Sequence, residues 1–555
     1  MKISRLMLAS IGLTLLAIVF IEVNAEPMGR IFWHLLTVYD LPAAWLMVAM
    51  LLAVHWIDRY YDGDGAWVEC LVLGIERHRY AITLALWTVL CVASLFVYRN
   101  HPLSMDEYAA VFQAKIFAAG AMSGHFPPEL LDALIPRGFQ NQFLMVNRHT
   151  GAVFSAYWPG FSLLLTPFTV LGIPWACNPT LVAASFLLIG RIARELAVTP
   201  ACAGWAMLLA LASPAFVTNG ITYYSMPAHL LLNLTFAWLL LVVSPWRLFL
   251  AGLVGGYALV LHNPFPHLVF ALPWIAWLAI RREHRLRNLA CLVSGYLPVV
   301  AVLGAGWSLW QRDLLAVGIT VTNAAGASMV APSHAERAMA LLREFLRTLQ
   351  LPDELILYAR LGGLAKLWLW ASPMLLLFAW WGARGERRMP IRLMGASALF
   401  TFFAYFSIRF DQGHGWGYRY FHSAWGVLPV LAARGVTKLV AAEGVIALRR
   451  VGMLTLMSLL AANGLRLAQM GSFMGEHLAQ FPPRVESNRT IVLHNGRGYY
   501  AKDLIQNDPW LRGNQLVFYA LRPGDRQKIL DHFSTAKGMV SNRYGETYFW
   551  SGPEP

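Results

Sequence analysis

Long apolar runs separated by short polar stretches occupy most of the chain up to about residue 470. A helix needs about 20 mainly apolar residues to cross the hydrocarbon core of a bilayer. The pattern predicts thirteen transmembrane helices, at 5–21, 41–57, 80–98, 180–189, 202–217, 228–243, 249–261, 268–280, 289–309, 364–381, 394–406, 421–431 and 451–467. We therefore expect an all-α polytopic membrane protein.

The last part of the chain has a different pattern, with many more polar residues after about residue 481. Short stretches rich in β-forming residues predict strands at 490–493, 516–520, 539–541 and 547–550, and 525–533 is expected to be a helix. This is a small α/β domain. We predict three domains: residues 1–79 with the N-terminal transmembrane helices and a cytoplasmic loop, residues 80–468 with the main transmembrane region and a long loop at 99–179, and residues 469–555.

The basic residues indicate which side of the membrane each loop occupies. The 44 Lys and Arg exceed the 30 Asp and Glu, and their clusters fall in loops that the thirteen-helix count places on one side. The positive-inside rule makes that side cytoplasmic. We expect a cytoplasmic N-terminus, and we expect loops 99–179 and 311–362 and the domain 469–555 to be external.

One apolar stretch, 161–176, is not expected to cross the membrane. If it crossed, every later basic cluster would lie outside. It is also short, contains Pro167 and follows the turn YWPG at 157–160. We interpret it as a helix at the outer interface.

The N-terminal segment has two interpretations. Residues 1–25 fit either an uncleaved first helix, which we favour, or a signal peptide cleaved after Ala25. Both interpretations place residue 26 outside.

Composition excludes several classes of protein. With 57% apolar and 13% charged residues the chain is not a single soluble enzyme. Its net charge of +14 comes from short clusters between apolar runs, which are orientation signals and not a surface for nucleic acid. The five cysteines form no CxxC pair, so neither a metal knuckle nor a disulfide framework is expected.

An acidic pair, Asp106 and Glu107, follows the third predicted transmembrane helix at its external end. Two carboxylates at this position could serve as a general base or as metal ligands. Alternatively, Ser104 or Asp106 could cap the helix that begins here, because acidic residues are favoured at the positive end of the helix dipole. The pair alone does not decide between these roles.

The order of motifs around this pair resembles the GT-C superfamily of membrane glycosyltransferases, which includes protein O-mannosyltransferases and the lipid A aminoarabinose transferase. The order is a transmembrane helix, the external acidic pair, an amphipathic helix at 106–119, the YWPG turn, an interfacial helix and a helix ending in GRIAREL at 190–196. The resemblance covers about residues 80–431. It implies a GT-C-like fold with residues 80–468 as the catalytic region.

The resemblance also implies a function. It implies an enzyme of the bacterial inner membrane that takes a sugar from a polyprenyl-phosphate (undecaprenyl-phosphate) donor. The sugar would pass to a glycan, lipid or protein acceptor on the periplasmic face, by inverting displacement. Neither the sugar nor the acceptor is indicated by the sequence.

In the superfamily the acidic pair is catalytic, and by resemblance the catalytic residues are Asp106 and its neighbour Glu107. A carboxylate at a partly dry interface can have a raised pKa, which suits a base that removes the proton of an acceptor hydroxyl. The polyprenyl phosphate is a good leaving group and needs only cationic donors.

By resemblance, the lipid phosphate is expected at a Gly-rich aromatic loop, RFDQGHGWGYRY at 409–420. Arg419 is the first candidate and Arg409 the second, because an Arg offers paired donors and glycines allow close backbone approach. Either Arg could instead anchor a helix end at the lipid headgroups. His262, in the turn HNPFPH at 262–267, is a weaker candidate where relatives often carry Lys or Arg.

Other candidates are less specific. Residues that could contact sugar or phosphate are Arg137, Arg148, His149, Tyr157, Asp411, His414 and Tyr420. Several relatives carry a second acid where this chain has NGITYYSM at 219–226, so a metal site is doubtful, although His229 could substitute and a divalent metal is possible. An amphipathic helix at 336–351 could close over the site as a lid.

Two other classes of function are considered. A transporter or flippase for a lipid-linked sugar would carry ionisable residues within its spans, and the predicted spans are almost free of them. A non-catalytic member of the superfamily would bind lipid without releasing sugar. Loss of transfer on changing Asp106 separates the enzyme from both.

Overall fold

A computed structural model describes residues 2–24, 30–61, 63–197, 199–317, 351–483, 489–534 and 536–550. The possible cleavage point after residue 25 lies outside these ranges. So does the predicted lid helix at 336–351, apart from its last residue.

Helices make up most of the described chain. In the first half they are α1 Ile3–Val23, α2 Ile31–Leu35, α3 Leu41–Tyr60, α4 Ala66–Arg77, α5 Arg79–Phe96, α6 Met105–Ala118, α7 Leu131–Leu134, α8 Gly160–Val170, α9 Cys177–Glu195, α10 Ala201–Leu211, α11 Pro214–Asn219, α12 Met226–Leu239 and α13 Pro245–Leu259. In the second half they are α14 Phe265–Ile280, α15 Arg285–Val299, α16 Trp307–Ala316, α17 Glu354–Leu369, α18 Leu375–Ala383, α19 Met389–Ala404, α20 Arg419–Trp425, α21 Val427–Glu443, α22 Val445–Met457, α23 Asn463–Leu478 and α24 Pro523–His532. Short π-helical turns at Leu36–Asp40, Val300–Gly306 and Ser458–Ala462 join helices into longer rods.

The polytopic helical architecture expected from the sequence is confirmed, but the count of thirteen transmembrane helices is not. Among the described residues, seven helical rods are long and apolar enough to cross a membrane, or eight if the bent pair α20 and α21 counts as one span. The predicted spans at 202–217 and 364–381 each fall on two shorter helices. Prolines account for the first of these breaks, because Pro214 lacks the N–H that would continue α10.

The stretch predicted not to cross the membrane contains α8, which has 11 residues. At 1.5 Å per residue this helix is about 16 Å long, roughly half the thickness of the hydrocarbon core. Its first residue, Gly160, donates its N–H to the carbonyl of Val260 at 3.0 Å. A Cβ at Gly160 would lie 2.7 Å from that oxygen, so this close approach requires glycine.

Two small sheets lie outside the helical region. The loop 99–179 holds a three-stranded antiparallel sheet of Gly124–His125, Leu144–Val146 and Ala152–Ser155, which the sequence analysis did not predict. The C-terminal sheet has four strands, β4 Thr490–His494, β5 Gln515–Tyr519, β6 Lys537–Asn542 and β7 Gly545–Phe549, in the order β5-β4-β7-β6. Only the β4–β5 pair is parallel. The small α/β unit is therefore confirmed, with α24 as its helix.

This C-terminal unit packs against the loop 99–179 and the helix α6 within it. Apolar side chains of α6, such as Tyr108 and Phe112, share one buried cluster with Leu493, Phe518 and Trp550 of the unit. Burial of apolar surface stabilises such a contact by about 25 cal/mol per Å². The unit is thus held directly over the start of α6, where the acidic pair lies.

One group of ionisable residues is buried within the helical region, which corrects the expectation that the spans are almost free of them. Oδ2 of Asp40 accepts a hydrogen bond from Lys366 at 2.5 Å, and Oδ1 accepts one from Trp370 at 2.6 Å and lies 2.8 Å from Nη1 of Arg466. The three charged side chains are at most 1% exposed. They join the turn before α3 to α17 and α23.

Candidate active site

The site is built on the first turn of α6. Ser104 has the extended backbone of an N-cap, but its side chain makes no capping hydrogen bond and instead lies 3.0 Å from the Tyr224 hydroxyl. The free N–H of Met105 donates to Oδ1 of Asp503 at 2.9 Å. A carboxylate from the C-terminal unit therefore satisfies the start of this helix, which favours negative charge.

Asp106 points away from its own backbone and does not cap the helix. Its Oδ2 accepts a hydrogen bond from Nη2 of Arg419 at 3.0 Å, and its Oδ1 accepts one from the Tyr157 hydroxyl. The ring of Tyr157 contacts that of His262, with 3.8 Å between the centroids and 35° between the ring planes. The YWPG turn provides this contact because the N–H of Trp158 donates to the His262 carbonyl.

Arg419 lies in the Gly-rich loop and is held by backbone groups of the same loop. Its Nη1 donates to the carbonyls of Gln412 at 2.9 Å and His414 at 2.6 Å. The guanidinium also lies over the ring of Tyr224, 4.0 Å from its centroid. At Gly415, φ is +130° and a Cβ would meet Cδ of Arg419 at 2.1 Å, so this glycine makes room for the side chain.

The ion pair changes the chemistry expected of Asp106. Burial raises the pKa of this carboxyl, but the positive charge of Arg419 and the hydrogen bonds from Tyr157 and Arg419 outweigh burial and lower it overall. The raised pKa anticipated from the sequence is therefore wrong for Asp106. Burial lowers the pKa of His262 to about 4, so that imidazole is neutral at neutral pH.

Glu107, the second acid of the pair, faces the interior. It is 0% exposed and accepts hydrogen bonds from the N–H groups of Leu103 and Tyr223 and from the Tyr98 hydroxyl. Burial raises the pKa of Glu107 to about 7, although these donors act in the opposite direction. Its contacts tie α6 to the segments that follow the C-terminal ends of α5 and α11, which is a positioning role.

Asp106 opens on one side to a cavity of about 430 Å³ between the helical region and the C-terminal unit. Polar side chains from four parts of the chain line it: Arg30, Ser104, Asp106, Asp411, His414, Tyr500, Lys502 and Asp503. The cavity also reaches Phe139 and Phe143 of the external loop. Arg419 is not among the residues that line this cavity and meets it through Asp106.

The remaining predicted residues lie in different places. Asp411 pairs with Arg30 at 3.4 Å, and Tyr420 donates its hydroxyl hydrogen to the Asp411 carbonyl at 2.7 Å, so both support the loop beside the cavity. Arg409 is exposed and does not line the cavity.

The charged candidates of loop 99–179 form a separate surface group. Arg137 and Arg148 both pair with Asp132 at 2.7 Å and are more than half exposed. His149 is exposed, and its N–H donates to Asn147. The structure does not bring these residues together with Asp106.

Within the described ranges, no three His, Cys, Asp or Glu side chains are grouped closely enough to hold a metal ion. His229, suggested as a substitute ligand, is buried in α12 with neither ring nitrogen hydrogen-bonded.

Two contributors to the site were missed in the sequence analysis. Asp503 accepts a hydrogen bond from the N–H of Met105, which lies 398 positions earlier in the chain. No spacing pattern in the sequence links two residues so far apart. Tyr224 falls in the NGITYYSM turn, which was examined only for acids. Its hydroxyl and its ring both contact the site. The sequence could have suggested that a tyrosine of this turn packs on an arginine, but not that the arginine is Arg419.

The structure is similar to two crystal structures of ArnT from Cupriavidus metallidurans. For ArnT bound to undecaprenyl phosphate, the match has 13% sequence identity, covers 84% of this chain and 97% of that chain, and has a TM-score of 0.49. For the apo state, the values are 13%, 85%, 98% and 0.46. The likeness concerns the course of the chain and identifies no residue, ligand or reaction in this protein. No protein-family model matches the chain, and no curated protein does.

Proposed function

We propose that this protein is a membrane glycosyltransferase that moves a sugar from a polyprenyl-phosphate donor to an acceptor on the external face. The observation that carries the proposal is the contact between Asp106 and Arg419 at the edge of the cavity. It joins a carboxylate on a helix start to a guanidinium held by a Gly-rich loop. The order of motifs in the sequence adds the resemblance to GT-C transferases.

Arg419 is proposed to receive the phosphate of the lipid carrier. When the bond between the sugar and the phosphate breaks, negative charge grows on the leaving oxygen, and a fixed cation stabilises it. The guanidinium is 12% exposed, which reduces screening by water. His262, neutral and beside Tyr157, contributes a hydrogen bond at most, and Arg409 is too far out in solvent to share the task.

Asp106 is proposed to hold Arg419 in place and to orient the acceptor at the cavity. The attack comes from the cavity side, while the phosphate leaves on the Arg419 side. Opposite faces for attack and departure give inversion at the anomeric carbon. Undecaprenyl phosphate is the proposed carrier, as the resemblance implies, and the acceptor is a glycan, lipid or protein of the envelope. The proposed compartment is the bacterial inner membrane with the site facing the periplasm.

The test compares envelope glycans and glycolipids by mass spectrometry in a deletion strain complemented with the wild type, Asp106→Asn or Asp132→Asn. We expect one sugar to be absent and its polyprenyl-linked form to accumulate in the deletion and in Asp106→Asn. Asp132→Asn is the matched control, an acid of the same loop outside the cavity, and should restore the sugar. Identical glycans in all strains, with the protein present in the membrane, would contradict the proposal.

A transporter is a second candidate because of the buried group of Asp40, Lys366 and Arg466. These residues pair with one another, and Arg466 also donates to the Tyr39 carbonyl at 2.9 Å. Transport predicts uptake or flipping of a lipid-linked sugar into vesicles without formation of a new glycosidic bond.

A family member that only binds lipid predicts binding of undecaprenyl phosphate in purified protein, with the glycan profile unchanged.

A further inference from the structure

Asp503 brings a carboxylate to the cavity from the C-terminal unit. It lies in a short 3₁₀ turn, Ala501–Leu504, and is 6% exposed. One oxygen, Oδ1, is committed to the N–H of Met105, the residue just before Asp106. Asp106 and Asp503 line the same cavity together with Asp411, which pairs with Arg30, so the cavity carries three acids although the turn at 219–226 has none.

His414 gives the independent sign that this part of the cavity is built for a ligand. It is 7% exposed and lines the same cavity, and neither of its ring nitrogens has a hydrogen-bond partner. Its Nε2 is 3.9 Å from Oδ2 of Asp503, which is too long for a hydrogen bond. A buried imidazole without partners costs free energy, and a hydroxyl group of a ligand between the two side chains would supply one.

We infer that Asp503 is the general base that accepts the proton of the acceptor hydroxyl, next to His414. In this step the hydroxyl oxygen forms a bond to the anomeric carbon, and the bond from that carbon to the phosphate oxygen breaks. The electron pair leaves with the lipid phosphate, and the hydroxyl proton passes to Asp503. The inference rests on the proposed function and names the residue that handles its proton.

Asp106 and Asp503 have different surroundings, which suit them to different roles. Asp106 is committed to Arg419 and Tyr157, which lower its pKa and make it a poor base. Burial raises the pKa of Asp503 to about 7, with the N–H of Met105 acting against burial and the charge of Asp106 acting with it. A base of this pKa is deprotonated above neutral pH and still takes a proton readily.

Several titratable and charged groups line the cavity around Asp503, Arg30 and Asp411 among them. Asp106 comes from α6, His414 from the Gly-rich loop, and Tyr500 and Lys502 from its own turn. Burial lowers the pKa of His414 to about 3, so it stays neutral around neutral pH. Glu107, whose pKa burial also raises to about 7, does not line the cavity, so loss of the pH dependence in Asp503→Asn is the result that assigns the titration to Asp503.

The experiment uses the full-length protein in lipid nanodiscs. The donor is the polyprenyl-phosphate sugar pool extracted from host membranes, and the acceptor is the host envelope glycolipid extract. Free undecaprenyl phosphate released by transfer is measured by mass spectrometry between pH 5.5 and 8.5. The variants are Asp503→Asn and Asp106→Asn, with Asp508→Asn as the matched control. Asp508 is an acid of the same unit that does not line the cavity.

We expect the wild-type rate to rise with pH through about 7. Asp503→Asn keeps an oxygen for the Met105 N–H but cannot take a proton, so transfer should fall about 100-fold or more and lose that dependence on pH. Asp106→Asn should be slow but retain the rise, and Asp508→Asn should match the wild type. Binding of undecaprenyl phosphate by Asp503→Asn should stay within twofold of the wild type.

Two outcomes would overturn the inference while leaving the proposed function intact. One is a wild-type transfer rate that does not change between pH 6 and 8. This test does not depend on any variant folding. The other is a folded Asp503→Asn within a few fold of the wild type in rate and equal in pH dependence. Absence of transfer by the wild type, with donor and acceptor shown to be present, would instead refute the proposed function and with it the base.

Discussion

Replacing Asp106 by Asn separates the charge of this side chain from its shape. Asn retains an oxygen that can accept the hydrogen bond of the Tyr157 hydroxyl, but it lacks the negative charge 3.0 Å from Arg419. The guanidinium, 12% exposed, would then be a nearly buried cation. Its remaining partners would be two backbone carbonyls and the ring of Tyr224.

The expected cost follows from this burial. Removing one partner of a fully buried ion pair costs about 3–5 kcal/mol. Because 26% of the Asp106 side chain is exposed, water screens part of the interaction, and we expect the free energy of unfolding to fall by about 2–3 kcal/mol. Arg419→Gln removes the cation itself. The double variant should therefore recover part of the loss, with a coupling energy of about 1–2 kcal/mol.

The assay measures both stability and transfer for the wild type, both single variants and the double variant. Unfolding in detergent is followed by denaturant titration, and transfer by release of undecaprenyl phosphate. Asp106→Asn should lose transfer by about 100-fold or more, and the double variant should recover stability without recovering transfer. Strictly additive stability changes would refute the ion pair as a coupled unit. Wild-type transfer by Asp106→Asn would remove this residue from the mechanism.

Three further predictions concern other parts of the structure. Gly415→Ala places a Cβ 2.1 Å from Cδ of Arg419, so the guanidinium must move. Binding of undecaprenyl phosphate should therefore weaken about tenfold. Unchanged affinity in a fluorescence titration would contradict a role for Gly415 in placing Arg419. Asp40→Asn leaves two buried cations without their carboxylate and should lower the free energy of unfolding by about 3–5 kcal/mol. Lys366→Met leaves the ion pair of Asp40 and Arg466, which has no net charge, and should cost much less. Denaturant titration in detergent measures both costs, and equal decreases in the free energy of unfolding would argue against the network. Because the pKa of Asp503 is raised from 3.8 to about 7 in the folded protein, the folded state binds the extra proton between these values, and stability falls as pH rises through that window. Melting temperatures measured from pH 4 to 8 should show this decline in the wild type and a smaller decline in Asp503→Asn. An equal decline in both proteins would mean that the pKa of Asp503 is not raised by folding.

Much of the site could be anticipated because its signals are local. A Gly-rich aromatic loop before a helix predicted an arginine where the backbone can approach a phosphate closely, and in the structure Gly413, Gly415 and Gly417 of that loop have positive φ angles. The acidic pair was recognisable for the same reason, since helix starts attract carboxylates. The exposed pairs of Arg137 and Arg148 were not separable from true site residues, because solvated and ligand-binding arginines have the same local pattern.

The sequence by itself determined that the chain lies in a membrane, that a polar α/β unit follows the helices and that an acidic pair begins a helix after the third apolar run. These properties depend on hydrophobicity and on residues close together in the chain. Tertiary structure alone decided which of two adjacent acids meets Arg419, because successive helical residues point about 100° apart and only packing selects the face that turns inward. It also decided the pKa of each acid, since burial and the nearest charge come from distant segments. The contact of Asp503 with Met105 spans 398 positions, and only a folded chain brings such groups together.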